Sequence, residues 1–388
     1  MRTQIGIVGA GPAGLMLAHL LHLVGIDSVI IEHRSRAYVE SRVRAGLIEQ
    51  NARDLLIEVG VGDRLAREGR MHKGIGINFR NERHRVGIFE LSGGKAVTMY
   101  GQEELVKDLI AARLAADGQI IFEVDNVSIE NILGSPTIRF EREGGHELSC
   151  DAIAGCDGFH GICRQSIPVG VLSIFERVYP FAWLGILSEA KIGTDEVIYT
   201  NHPRGFALQS MRTPELSRFH IQCRPDEDLS EWSDERIWDE LDIRLATPGS
   251  RHVNRGPILQ KGLAALRSFV AAPMRYGNLY LAGDAAHIVP PTGAKGMNLA
   301  IADVRILARA FAEFYRSGKT LWLEQYSDVC LRRVWKAQRF SWWMTSMLHH
   351  FEGSTFDQEC QIAELDYVTS SRAAGMTLAE NYVGLPYE

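Results

Sequence analysis

Gly9-Ala10-Gly11-Pro12-Ala13-Gly14 follows the β-branched run Gln4 to Val8 and opens a helical pattern that runs from Ala13 to Val24. Glycines at this spacing allow a tight turn, let the backbone approach a pyrophosphate, and let the helix pack closely on the strand. The helix N-terminus then offers unpaired N–H groups and the positive end of its dipole to the phosphates. A second apolar run, Ser28 to Ile31, ends at Glu32. A carboxylate there can accept hydrogen bonds from a ribose hydroxyl pair, and it repels a 2′-phosphate. The unit is a βαβ dinucleotide-binding fold, with Gly9, Gly11, Pro12, Ala13, Gly14 and Glu32 as candidate contacts. Either NAD or FAD fits it.

Outward from this unit, residues 41 to 70 read as helical, with Leu47, Leu55, Leu56 and Val59 on one stripe. Residues 75 to 100 alternate and carry the turn pair Gly93-Gly94, the pattern of antiparallel strands. Glu103 to Ala116 reads as a helix, Ile120 to Cys150 as hairpins, and Asp151 to Gly155 as a buried strand. From 172 to 273 the pattern is mostly β, with one helix near Asp234 to Leu245. Leu279 to Gly283 restores the buried parallel-sheet character, and helices dominate from Gly296 onward. The expected architecture is mixed α/β. A Rossmann-like nucleotide domain (1–171 and 274–388, the latter including the C-terminal helices) is interrupted by a β-rich, substrate-binding domain (172–273).

Composition narrows the function classes. The chain has 388 residues, 46% hydrophobic and 23% charged, with 42 basic against 48 acidic residues and a net charge of -6. That balance argues against nucleic acid, which is held by clustered Lys and Arg. The six cysteines form no Cys-x-x-Cys pair and no zinc-ligand spacing, so no metal is expected and the thiols read as reduced, in a cytoplasmic protein. No charged leader precedes the first strand. The apolar stretch Ala18 to Val24 is interrupted by His19 and His22, far short of the roughly 20 apolar residues of a membrane span.

Two further motifs decide between the nucleotides. Ile153-Ala154-Gly155-Cys156-Asp157-Gly158 ends one buried strand. Tyr280-Leu281-Ala282-Gly283-Asp284-Ala285-Ala286-His287 ends another, and Gly293-Ala294-Lys295-Gly296-Met297-Asn298 follows at a helix start. With these three fingerprints the chain resembles the class A FAD-dependent aromatic hydroxylases. Longer runs narrow the resemblance to the branch that acts on 4-hydroxybenzoate: 41–46, 91–95, 155–161, 201–207, 289–296, 340–346 and 380–387.

The resemblance implies FAD as cofactor, NADPH or NADH as co-substrate, and O2 and a small aromatic acid as substrates. It implies hydroxylation through a flavin hydroperoxide, in a homodimer that feeds aromatic catabolism. FAD contacts are expected from Arg42, Arg44, Gln102, Asp157, Asp284, Lys295, Gly296, Met297 and Asn298. Ser210 and Arg212, at i and i+2 of one strand and so on one face, match a carboxylate clamp; an Arg fork meets both carboxylate oxygens. Tyr199 and Tyr382 match a pair that draws off the phenol proton. His72 matches the solvent-side end of that relay, where an ordinary pKa of about 6.5 suits exchange. Pro291 matches a backbone carbonyl that faces the phenol. His160, Arg164 and Arg267 match positions that receive the nicotinamide nucleotide, along with Arg42, Arg44 and Tyr38.

Two positions depart from the family pattern. His220 stands where a tyrosine commonly meets the substrate carboxylate; it can donate from a ring nitrogen and adds charge if protonated. His33-Arg34 replaces an Arg-Gln order in the segment that tunes coenzyme choice, and predicts use of both coenzymes with NADPH favoured. Rival readings are the same chemistry on 4-aminobenzoate, a dihydroxybenzoate or 3-hydroxybenzoate, an NAD-dependent dehydrogenase, or a non-enzymatic scaffold on this fold.

Overall fold

The computed structural model describes residues 1–387 except Val43, Ala45, Ser250 and Arg251; Glu388 is likewise outside the described residues. Val43 and Ala45 belong to the 41–46 run quoted above, so that part of the expectation lies outside them.

The first sheet has a parallel core of Gln119–Ile121, Ser28–Ile31, Arg2–Val8, Gly145–Gly155 and Leu279–Leu281, in that spatial order. Such strands are covered on both faces, which explains why they read as continuous apolar runs. The register decides where the motifs meet. Val8 pairs with Gly155 and with Ile31, and Gly155 pairs with Leu281. The three glycine turns therefore leave the sheet at one edge, the carboxyl ends of the strands, where open α/β sheets bind ligands. Helix Pro12–Leu23 starts with proline at its first position, where a missing N–H costs nothing. It buries Leu15, Met16, Leu17 and Leu21 completely, each burial stabilising by about 1.5–3 kcal/mol.

A second sheet runs His287–Ile288, Ile258–Ala272, Ser173–Ser188, Ser217–Cys223, Ala207–Met211, Val197–Thr200, Ile75–Phe79, Glu82–Val86. It draws its last two strands from well outside residues 172–273. Its first strand belongs to the Gly283–His287 turn of the other sheet, through Val270 opposite His287. Helix Asp234–Leu245, capped by the Ser233 hydroxyl, covers one face. Helices Leu321–Leu348, Thr355–Ser370 and Arg372–Val383 supply residues to the core on the other.

Local expectations fail in three places. Residues 41–70 are not one helix: Leu47 lies on the strand Leu47–Ile48 opposite Met99, and Gln50–Glu58 and Asp63–Glu68 are separate helices. Gly60, at φ 78°, breaks the chain between them, and a side chain at Gly62 would collide with Ile57. Within 75–100, Ile88–Leu91 is helical. The strand expected at 151–155 begins at Gly145, because its first half pairs antiparallel with Thr137–Glu141 and its second half parallel with Arg2–Val8.

Candidate active site

The glycine turns form a cradle whose shape is set by backbone contacts. Gly9 has φ 106°, and a Cβ there would lie 2.3 Å from the Cys156 carbonyl oxygen. A Cβ on Gly14 would lie 2.0 Å from the Gly9 oxygen, whereas at Gly11 and Gly296 it would meet nothing within 4 Å. The two sealed positions fix the turn, and the two open ones leave space in front of two helix N-termini, which fits an anionic dinucleotide such as FAD. Glu32 holds the rim: its carboxylate oxygens accept the N–H groups of Ala10 and Arg34, each at 2.7 Å. Asp157 accepts the Cys163 N–H at 2.8 Å and leaves its other oxygen buried without a partner; burial raises its pKa. Asp284 is exposed at the same edge.

Arg44 is tied to the second sheet, since its carbonyl accepts from Arg212 Nη2 at 2.6 Å. Its hold on a proton is weakened by partial desolvation and by Arg42, and partly restored by Asp284. Arg42 is exposed, and Gln102 is half-buried at the start of helix Gln102–Ala115. Lys295 is fully enclosed; its ammonium meets Glu49 at 2.6 Å and the carbonyls of Asn381 and Tyr382. Burial lowers its pKa against the opposing pull of Glu49. Asn298 bridges the carbonyls of Leu47 and Ala294 and receives the Glu49 N–H, with Met297 half-buried beside it.

The second sheet collects the candidate substrate residues by register. Tyr199 pairs with Leu208, Leu208 with His220, and His220 with Gly185; one row further, Ser210 pairs with Arg218. Paired residues share a face, so Tyr199, Ser210, Arg212, Arg218 and His220 are presented to one side of the sheet. The Tyr199 and Tyr382 hydroxyls are 2.8 Å apart although 183 positions separate them. Burial pushes the Tyr199 phenol up to about 12, partly offset by Tyr382, and raises that of Tyr382 well above its ordinary value.

At the other end of the row three polar nitrogens, Arg212 Nη1, Arg218 Nε and His220 Nδ1, are buried and unpartnered among the described residues. Unpartnered buried donors are costly, and three in one place mark a site that takes an anion. Burial and the neighbouring Arg218 and Arg212 hold His220 well below its ordinary pKa. His220 is therefore neutral and adds no charge to the site. The Ser210 hydroxyl donates to the Arg218 carbonyl at 3.4 Å, a weak contact that leaves it available. Arg218 was missed from sequence, although it lies at i−2 from His220 on an alternating strand.

Behind His220 stands Trp183, at 4.6 Å between rings. Its indole N–H donates to His349 Nε2 at 2.7 Å, and His349 Nδ1 donates to the Thr345 carbonyl. Thr345 Oγ1 also meets Thr292, next to Pro291, at 2.9 Å. The Pro291 carbonyl accepts the Ala294 N–H, which occupies one of its lone pairs.

His72 is not at a solvent-exposed end. It is 1% exposed on the strand Arg70–His72, both ring nitrogens lack partners, and burial pulls its pKa down to about 4. His72 pairs with Val97 on the neighbouring strand, a tertiary placement that the local sequence does not carry.

The expected nicotinamide residues form two separate groups. Arg34 stacks over Tyr38 at 5.0 Å, while His33 meets the Val124 carbonyl and Asp125. Arg164 and Arg267 flank Phe159 at 4.8 and 4.7 Å, with the exposed His160 edge-on to it. Arg164 is anchored by the Ala285 and Phe159 carbonyls, and Arg267 by Glu176.

Residues 2–341 match the family model described as FAD binding domain. The chain is 50% identical over 390 residues to p-hydroxybenzoate hydroxylase of Acinetobacter baylyi, covering 100% of this chain and 96% of that protein. It is 26% identical to a 3-(3-hydroxy-phenyl)propionate/3-hydroxycinnamic acid hydroxylase of Burkholderia cenocepacia, over 79% of this chain and 56% of that one. The crystal structure of p-nitrophenol 4-monooxygenase from Pseudomonas putida superimposes with a TM-score of 0.86 at 18% identity, covering 99% of both chains, and shows the shared fold.

Proposed function

Because the chain belongs to the class A FAD-dependent aromatic hydroxylases, we propose that it hydroxylates 4-hydroxybenzoate to 3,4-dihydroxybenzoate with NAD(P)H and O2. The observation that carries the substrate is the single sheet face holding buried unpaired donors at Arg212, Arg218 and His220 in line with the Tyr199–Tyr382 hydroxyl pair. When bound, FAD supplies hydride acceptance and oxygen activation.

The chain's own residues orient the substrate and move its proton. Arg212 Nη1 and the Ser210 hydroxyl hold the carboxylate, and neutral His220 donates to it. The Tyr199 hydroxyl receives the phenol proton while passing its own to Tyr382, because both phenols stay protonated near neutrality and work as a relay rather than as a charged base. The Pro291 carbonyl, through its remaining lone pair, faces the same hydroxyl. His72, unpartnered and with its pKa pulled down to about 4, stays neutral and can only relay a proton beyond Tyr382 when water reaches it. Enclosure by Phe206, Trp183 and His349 keeps bulk water from the ring.

Arg34, exposed and braced on Tyr38, meets the 2′-phosphate of NADPH, which makes NADPH the favoured coenzyme; His33 is already engaged by Asp125. Arg164, Arg267 and His160 around Phe159 receive the other end. A cytoplasmic homodimer completes the proposal. The described free cysteines fit a reducing compartment, and exposed Ile174, Phe175, Val178, Trp335 and Trp342, with Phe175 edge-on to Trp335, fit a buried subunit interface. No helix among the described residues is long and apolar enough to cross a membrane.

The test is anaerobic reduction by NADPH with and without 4-hydroxybenzoate, followed by oxygen and product analysis. Accelerated reduction and a 3,4-dihydroxybenzoate product are expected. Acceleration only by 4-aminobenzoate or 3-hydroxybenzoate would move the assignment to those substrates.

A further inference from the structure

The turn Gly283–His287, which presents Asp284, is gripped at both ends by one carboxylate oxygen. Asp303 Oδ2 accepts the Gly283 N–H at 2.9 Å and meets His287 Nε2 at 2.6 Å. Both side chains are about 1% exposed. Asp303 lies on helix Gly296–Ser317, whose N-terminus opens into the cradle. Gly283 has φ 62°, and a Cβ there would lie 3.2 Å from the Ala300 Cβ, so the turn sits flush on that helix. One residue ahead of Ala282, the Leu281 carbonyl is fixed by the Tyr326 hydroxyl at 2.8 Å. His287 is also the backbone partner of Val270, so the grip reaches the second sheet.

A buried ion pair is weak evidence for stability, because desolvation offsets its attraction and an apolar pair packs as well. What an apolar pair lacks is direction: it cannot fix a backbone N–H and a side chain at a shared point. We propose that Asp303 and His287 form a positioning clamp that sets the pose of Asp284 and thereby the affinity for FAD. The proposal rests on the reading of Asp284 as a flavin contact.

The surroundings agree with a charged pair. Burial opposes protonation of His287, but the charge and hydrogen bond of Asp303, with Asp284 adding to them, raise its pKa overall. The other titratable groups against the pair are Cys330, Tyr326 and Cys156, whose own pKa values burial drives upward, so they stay neutral.

The experiment follows FAD release from the holoenzyme by flavin fluorescence in Asp284→Asn, Asp303→Asn and the double variant, with Tm recorded in parallel. Losing a charge-assisted contact predicts FAD affinity about tenfold weaker for each single variant. The double variant should bind within about twofold of Asp284→Asn, since the clamp acts through Asp284. Multiplicative losses, or a lower Tm with unchanged FAD affinity in Asp303→Asn, would overturn the clamp. Unchanged affinity in Asp284→Asn would instead overturn the reading of Asp284 itself. If Asp303→Asn does not fold, Asp303→Asn/His287→Gln retains both hydrogen bonds without charge. It should hold FAD no more than about tenfold weaker than wild type, and a larger loss in the folded protein contradicts the clamp.

Discussion

The nucleotide cradle and the aromatic pocket are built by opposite means. The cradle is main chain: Gly9, Gly14 and Gly283 are fixed by what a side chain would strike, and Gly11 and Gly296 by what it would fill. The pocket is side chain: Tyr199, Arg212, Arg218, His220 and Tyr382 come from separate elements and meet only through strand register and helix packing. A main-chain site should fail abruptly when a methyl group is added. A side-chain site should fail gradually, one function at a time.

The sharpest test of that contrast is Gly14→Ala. With the added carbon at 2.0 Å from the Gly9 oxygen, helix and turn must separate, and a loss of about 4 kcal/mol in urea unfolding is expected. Gly11→Ala, where nothing is struck, should leave the urea midpoint unchanged and weaken FAD alone. Equal effects at both positions would erase the distinction.

The pocket carries its own vulnerability, to acid. The folded pKa of His72, about 4, lies below the ordinary 6.5 of an unfolded chain. Above pH 6.5 both states are neutral and the site costs nothing. As pH falls below 6.5 the unfolded chain takes up a proton that the native ring refuses, so stability declines, by about 2 kcal/mol at pH 5. His349, pulled down by burial to about 3, adds to the same limb. Urea midpoints at pH 7 and 5 should differ less in His72→Gln than in wild type; an unchanged difference would place the acid sensitivity elsewhere.

Substrate grip comes next in size. Arg212→Gln should raise the KM for 4-hydroxybenzoate by about 30-fold, the worth of one charge-assisted contact, with FAD affinity untouched. A parallel loss of FAD would mean that the Arg212–Arg44 contact, rather than the carboxylate, is what the residue serves. Smallest is His220→Tyr, which exchanges one neutral donor for another and should shift substrate affinity by less than about tenfold. A change beyond that would show that His220 sets the pocket's range.

Legibility in the sequence follows the same division. The cradle could be read directly, since each fingerprint is a local string that ends a strand, and parallel pairing alone gathers the three. Helix Asp234–Leu245 is legible for a similar reason, since its pattern is local, and the structure adds the Ser233 cap. The two-residue strand Leu47–Ile48 was not, because its conformation is imposed by Val97–Met99 about fifty residues on. Nor does any local signal join Tyr199 to Tyr382; only the family resemblance pairs them. His72 shows the remaining gap: its identity is visible, but its burial depends on the strands around it, and that burial lowers its pKa against the opposing pull of Glu196 and Asp195.

The central claim is that this sheet face holds the acid group at Arg212 while Tyr199 takes the phenol proton. Ionisation of enzyme-bound 4-hydroxybenzoate, followed by difference absorbance against pH, tests it most directly. The account predicts that the bound phenol ionises at lower pH than the free compound, because Tyr199 donates to the phenolate within reach of the arginines, and that Tyr199→Phe abolishes the shift without preventing binding. An unshifted bound phenol, or an identical titration in Tyr199→Phe, would contradict it.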